Sequence, residues 1–460
     1  MNPADLIAAV SPHIPAPDVA LAAATISADS SEVDINPSTA DPRARFEIGS
    51  VTKTMTATLL ALLVGEGVLG LDDEIGRWLD AGDNARITVV QLATHTSGLP
   101  GMSPQMRARA SRNPQNPWSG YDFAHAEHDL HRLAPASAPG TSSWYYSNLG
   151  YQLLALVLER ASTLPYPRLL TERLLEPLGM PDSRVGHGES GAGGDGDGGG
   201  GDSDGGAADS ASIDGLLLEG HGSTGPVCPR DHPLGAGGVE ATIGDFARYA
   251  RACLFPPATP LGDAIKLAQE PRVRVSRDTE QALGWLVRGG TLREHSGATA
   301  GFTACIHLNP ARGHEGAVAM LAAYGGSIAV ASHCKAAAQR ALTGQDPRSA
   351  EPARPFEDWR RKAVETVELL LTGEFHHVHE ALIPARREKT SPDMLANAWH
   401  RALTDAGDPD PSTVTIRHEQ TAASGALIAD VAITCSRRPL VIRLAILPNG
   451  NLGGLTPLPG

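Results

Sequence analysis

The sequence predicts an α+β protein, and three observations carry that prediction. Short apolar runs alternate with turns between residues 283 and 322, and apolar residues recur at helical spacing on either side of them. A Pro-, Ser- and Asp-containing stretch at 344–355 is then followed by helix-like and β-like runs of its own. Consecutive strands joined by short turns imply an antiparallel sheet, and helices followed by strands beyond a linker imply a small second α+β module. The expected organisation is a domain over 1–343, a linker over 344–355 and an accessory domain over 356–460.

A helix-like opening leads to an apolar run at 19–26, read as a buried strand, and to a second β-like run at 43–48. Met55, Leu59, Leu60 and Leu63 then recur with helical spacing, and Gly65 and Gly67 mark the end of that helix. Residues 87–100 read as a helix passing into a loop closed by Gly98 and Pro100, followed by a long polar region to about residue 143. Tyr146-Ser147-Asn148 introduces an apolar helix over 149–161. Gly and Asp dominate 186–209, which cannot bury apolar area and reads as a disordered loop insertion.

The segment 235–242 opens a helix through Asp245, Phe246 and Tyr249. Strands are expected at 283–287, 291–294, 302–308 and 317–322, with a closing helix at 328–342. In the accessory domain Trp359, Ala363, Val367 and Leu370 mark an amphipathic helix. A second helix at 394–403 and three strands at 413–418, 427–434 and 440–447 complete it.

The 460 residues carry 38 basic against 52 acidic side chains, a formal charge of −14, which gives no surface for neutralising phosphates and excludes a nucleic-acid partner. The two long uncharged runs, 133–158 and 316–332, are not apolar for long enough to span a membrane, so no membrane partner is expected. Asp5 stands where a secretion signal needs basic residues, and the five cysteines are scattered without metal-ligand spacing. Both features favour a cytoplasmic protein with reduced thiols. His125, His128 and His131, like His376, His377 and His379, lack the carboxylate or Cys partners of a metal site and read as surface histidines. No metal and no cofactor are expected.

Ser50-Val51-Thr52-Lys53 lies where the β-like run at 46–48 gives way to a helix. Residues three apart share a helix face, so the Lys53 amine can stand beside the Ser50 hydroxyl and accept its proton. Ser332 and Lys335 have the same spacing, but nothing else catalytic surrounds them and they read as an ordinary helix face. Gly201-Asp202-Ser203-Asp204-Gly205 matches a nucleophile-elbow pattern yet has no strand before it and no helix after it.

In chain order, Ser50-Val51-Thr52-Lys53, Tyr146-Ser147-Asn148 and His295-Ser296-Gly297 resemble the three motifs of the serine β-lactamase and penicillin-binding-protein superfamily, in its class C-like branch of esterases and peptidases. The flanking 92–100, 175–180, Gly237-Gly238 and Leu283-Gly284-Trp285 are similar to that branch's landmarks over about residues 1–343. The resemblance implies a β-lactamase-like fold, an antiparallel sheet flanked by helices with an all-helical subdomain. It also implies an acyl-enzyme on Ser50, with Lys53 easing its deprotonation and Tyr146 as second base passing a proton to the leaving group.

A phenol, with an ordinary pKa of about 10, would need adjacent positive charge to act as a phenolate, and Lys53 is the expected source. Asn148 would hold Lys53 or a substrate amide. His295, Ser296 and Gly297 would bind substrate, the glycine letting it lie against the strand. The backbone N–H groups of Ser50 and Ala298 would form the oxyanion hole. His95, within the 92–100 landmark, is expected to hold a loop by hydrogen bonds.

Histidine at 295 departs from the lysine of the β-lactamase motif and binds a carboxylate less strongly near neutral pH, which favours esters, amides or peptides over antibiotics. The expected function is a serine hydrolase on a small-molecule or peptide substrate. Acyl transfer to an amine, as in penicillin-binding-protein-type thioesterases, and a non-catalytic sensor are the alternatives.

Overall fold

The computed structural model describes residues 2–458 apart from 17, 39, 113–115, 117, 119, 135–143, 187–216, 223–224, 228–231, 313–314, 326, 349–356, 388–389 and 423. Beyond Gly186, the expected glycine-rich insertion therefore lies outside the described residues, as do the nucleophile-elbow pattern and the second half of the expected linker. Two compact units are present, one of residues 1–11, 16–326 and 337–346, the other of 12–15, 327–336 and 347–460. Helix Ile328–Leu342, which was expected to close the first domain, is divided between them.

The first unit is built on an eight-stranded sheet in which all neighbours are antiparallel. Its order is Ser31–Asn36, Leu21–Ser27, Glu315–Ala322, Thr303–Leu308, Leu292–Ala298, Leu286–Arg288, Thr279–Gln281 and Val273–Arg274. The strand Leu21–Ser27, whose first six residues are all buried, thus lies between two neighbours and pairs with Glu315–Ala322, far along the chain. The strand carrying His295, expected over 291–294, runs on to Ala298 and pairs Gly297 with Ala304, so Ser296, Gly297 and Ala298 are extended backbone within the sheet.

Helix Thr52–Gly65 is buried on nearly every face and packs against helices Asn148–Ser162 and Pro260–Ala268. Its buried threonines are tolerated because their hydroxyls find acceptors. Thr54 donates to Val51 O at 2.8 Å, Thr58 to Thr54 O at 3.0 Å, and Thr56 to Gly235 O at 2.8 Å. The last of these ties the helix to the segment around Gly237. The polar region after residue 100 contains two helices, Pro104–Arg112 and Phe123–Arg132, that periodicity did not reveal.

In the second unit, helices Trp359–Leu371, Phe375–Ala381, Pro384–Arg387 and Pro392–Ala406 accompany a four-stranded antiparallel sheet. Three strands were expected; the fourth, Leu452–Leu458, contains Gly453, Gly454 and Pro457 and is an edge strand, where such residues are tolerated. Trp359, Val367, Leu370 and Trp399 pack with Val431, Ile442 and Leu444 in its core. Among the described residues no helix is long and apolar enough to cross a membrane.

Candidate active site

Ser50 stands in a short 3₁₀ turn, Gly49–Val51, that continues directly into helix Thr52–Gly65. The strand Leu292–Ala298 presses on this turn. Gly49 has φ +51°, and a Cβ there would lie 2.9 Å from Ala298 N; a Cβ on Gly297 would lie 1.9 Å from Ile48 O and 3.0 Å from Ser50 N. Two glycines therefore let turn and strand meet backbone to backbone, which brings the amides of Ser50 and Ala298 to one junction. The sequence reading left the space at Gly297 to substrate; the structure fills it with the carbonyl of Ile48.

Lys53 is fully buried. Its Nζ lies 3.0 Å from Ser50 Oγ, 2.8 Å from Asn148 Oδ1 and 2.6 Å from the Ala236 carbonyl. Burial pushes the amine well below the ordinary lysine range, toward its neutral form. Asn148 Oδ1 and Ala236 O can only accept, and a neutral amine has two hydrogens to give them. Its remaining lone pair is then directed at Ser50, which is the arrangement required to accept the serine proton.

Tyr146 hydrogen-bonds the Ser50 side chain, and its ring centroid is 4.9 Å from Lys53 Nζ. Burial raises the phenol well above its ordinary value, with the Ser50 hydrogen bond opposing in part. The phenolate expected from the sequence is therefore not the resting form. The physical reason is that the same desolvation that holds Tyr146 neutral also drives Lys53 toward the neutral amine, which removes the positive charge a phenolate would need.

The segment bearing Tyr146 is templated by the loop after Val89–Ala93. Tyr145 N–H donates to His95 O at 2.9 Å, Ser147 N–H to His95 Nδ1 at 3.1 Å, and Asn148 N–H to Gly101 O at 3.1 Å. Ser147 caps helix Asn148–Ser162, accepting from Gly150 N–H at 2.9 Å while donating to Pro100 O at 2.7 Å. His95 thus holds the loop, as its place in the sequence suggested.

The cleft beside Ser50 is lined by Asn148, Trp118, His232, Gly237, Ala298 and Thr299, among others. His295, Ser296 and Gly297 are not in that lining. His295 is 7% exposed and its Nδ1 lies 2.9 Å from the Ser296 carbonyl, so its imidazole is engaged with its own strand. Sequence reasoning missed Trp118 and His232, which stand in loops without periodicity. His232 Nε2 lies 3.1 Å from the buried carboxylate of Glu47, which sets a histidine beside an acid at the cleft. The histidines set aside as surface residues pair with acids instead, His125 with Asp122 at 2.7 Å and His131 with Asp80 at 2.9 Å.

This fold and this arrangement of Ser, Lys and Tyr define the serine β-lactamase and penicillin-binding-protein superfamily, a group of serine hydrolases. The fold is shared with a class C β-lactamase at TM-score 0.57 and 19% identity, over 71% of this chain and 92% of that one. A mutant class C β-lactamase gives 0.56 and 20% over 71% and 93%. The family model Beta-lactamase matches residues 22–343, and the chain belongs to the β-lactamase family.

Among characterised proteins it is similar to penicillin-binding protein 4* of Bacillus subtilis (strain 168), 32% identical over 30% of each chain. It is also similar to the D-alanyl-D-alanine-carboxypeptidase/endopeptidase AmpH of Escherichia coli (strain K12), 35% identical over 30% of this chain and 35% of that protein. The chain spans about a third of the length of these relatives.

Proposed function

We propose that the chain is a serine hydrolase that forms an acyl-enzyme on Ser50 and releases the acyl group to water, acting on esters, amides or peptides. The observation that carries this reading is the position of Lys53 Nζ, which has two obligate acceptors and Ser50 Oγ at hydrogen-bond distance. The Ser50 proton passes to Lys53 as Oγ bonds to the substrate carbonyl carbon. The oxygen that becomes negative is met by the amides of Ser50 and Ala298. Collapse of the intermediate breaks the bond to the leaving group, which takes the Tyr146 proton, and Lys53 returns its extra proton to the phenolate. Water then repeats the sequence in reverse.

The cleft also bears on the substrate. Among its described lining residues there is no Lys or Arg to fix a carboxylate, whereas Trp118, Pro233, Ala236, Ala298 and Ala300 offer apolar surface. A neutral acyl group with apolar substance fits this lining. The relative named as a D-alanyl-D-alanine-carboxypeptidase makes peptides ending in D-amino acids the second class to screen. The proposal includes a reducing compartment such as the cytoplasm, supported by Cys253, Cys305, Cys334 and Cys435 being buried free thiols.

The test is intact-protein mass after brief exposure to an activated short-chain ester. A transient acyl adduct on the wild type and none on Ser50→Ala is the expected result. Equal labelling of both proteins, or of neither, would remove Ser50 from the chemistry.

A further inference from the structure

We infer that His95 is a positioning residue for Tyr146, and that its neutral imidazole fixes where the phenol stands relative to Ser50. The inference rests on the acyl-enzyme reading above. Three contacts converge on the one tyrosine. The amide before it, Tyr145 N–H, is bound by the His95 carbonyl; the amide after it, Ser147 N–H, is bound by His95 Nδ1; and the His95 ring faces the Tyr146 ring with centroids 4.5 Å apart. Among the described hydrogen bonds, no other residue accepts from the backbone N–H groups of both sequence neighbours of Tyr146. Trp144 and Tyr151 close round the same imidazole with ring centroids at 6.1 Å and 5.1 Å.

The chemistry of the ring matches this task. Nδ1 accepts from Ser147, so the neutral ring carries its hydrogen on Nε2, and that atom is buried without a hydrogen-bond partner among the described residues. A residue chosen for local stability alone would not leave a buried donor unpaired. His95 also has φ +60°, a conformation that costs most side chains energy and that Asn tolerates well. Protonation would cost the Ser147 bond, and burial above all, with Lys53 and His295 adding to it, holds the imidazole well below its ordinary range. The ring therefore stays an acceptor over the working pH range, and the phenol stays seated.

Backbone strain and the acceptor can be separated by two variants. His95→Gly relieves φ and removes both acceptor and ring; His95→Asn keeps φ and supplies an amide oxygen to Ser147 N–H. Because a misplacement of about 1 Å at a reacting group costs on the order of a hundredfold, kcat of His95→Gly is expected to fall by about 10- to 100-fold with KM within about twofold. His95→Asn is expected to recover most of that loss. In His95→Gly the alkaline limb of the pH–kcat profile should move down toward an ordinary phenol, because Tyr146 gains access to water.

The wild-type acyl adduct is measured first on the same ester, so that failure of the acyl-enzyme reading is seen before any variant is scored. With that adduct present, three results would each overturn the positioning role. They are kcat of His95→Gly equal to wild type, an equal loss in both variants, or a loss confined to KM.

Discussion

Two serines of this chain stand three residues before a lysine in helical surroundings, and one of them, Ser50, lines the cleft described above. Ser332 and Lys335 lie inside helix Ile328–Leu342, where backbone amides are committed to the helix ladder and both side chains are half-buried. Ser50 lies in the turn that opens helix Thr52–Gly65, where the first N–H groups have no intrahelical partner and the helix dipole favours negative charge. The spacing is the same in both places. What differs is the end of the helix, and the two acceptors and strand that meet it there. A nucleophile needs a free amide beside it and a desolvated amine, and a mid-helix serine can supply neither.

The largest expected effect tests that contrast directly. Ser50→Ala should lower turnover by at least about a thousandfold and abolish acyl labelling, whereas Ser332→Ala should leave both within about twofold, as read by initial rates and intact mass. Labelling that survived in Ser50→Ala and vanished in Ser332→Ala would invert the comparison. The lysines should divide in the same way. Lys53→Met should cost on the order of a hundredfold to ten-thousandfold in kcat, and Lys53→Arg should not rescue it because a guanidinium stays charged. Lys335→Met should leave kcat unchanged.

Protonation sharpens the comparison further. The active site needs Lys53 deprotonated and Tyr146 protonated. Activity should therefore rise with pH along a limb set by Lys53, displaced well below the ordinary lysine range, and fall along a limb set by Tyr146, displaced above an ordinary phenol. Burial moves the limbs apart, so the pH–kcat profile should show a wide plateau between them. Tyr146→Phe should lower kcat by about 10²–10⁴-fold and remove the alkaline limb while leaving the acid limb in place. An alkaline limb that persisted in Tyr146→Phe would assign it to another group.

Much of this site could be read from residue types. Ser50 and Lys53 stood out by their spacing at the start of a helical period near residue 55, whereas Tyr146 stood out only through the resemblance of three motifs in chain order. His95 was legible as a loop holder from its place in a landmark. The acceptor at Ala236 was not, because a backbone carbonyl leaves no mark on residue identity. Trp118 and His232 were hidden in loops, and Glu47 looked like one acid in a short strand until Phe46–Glu47 paired with Val239–Ala241 and buried it. The reading of Tyr146 as a phenolate failed for a related reason. Sequence shows which charges are near one another but not how much water they lose, and here desolvation outweighs attraction. The fourth strand of the second unit was masked by Gly453, Gly454 and Pro457, which signal turns except at a sheet edge.

Two glycines close to the same helix, one at each end, carry the contrast into stability, and the second of them gives the smallest effect. At the nucleophile end, Gly297→Ala drives a Cβ to 1.9 Å from Ile48 O, a backbone atom that cannot swing aside. Turn and strand must part, which should cost about 3 kcal/mol or more in denaturant unfolding and lower kcat in the surviving folded protein by disordering the Ser50 and Ala298 amides. At the far end Gly65 is the last helical residue, is exposed, and would place its Cβ with nothing within 4 Å. There the absent side chain serves no contact, and replacing it restricts the unfolded chain and favours helix. Gly65→Ala should therefore stabilise the protein by about 0.5–1 kcal/mol with kcat unchanged. A loss of activity in Gly65→Ala would mean that the helix must flex along its whole length during turnover, and that the rigid end which distinguishes Ser50 from Ser332 is not sufficient by itself.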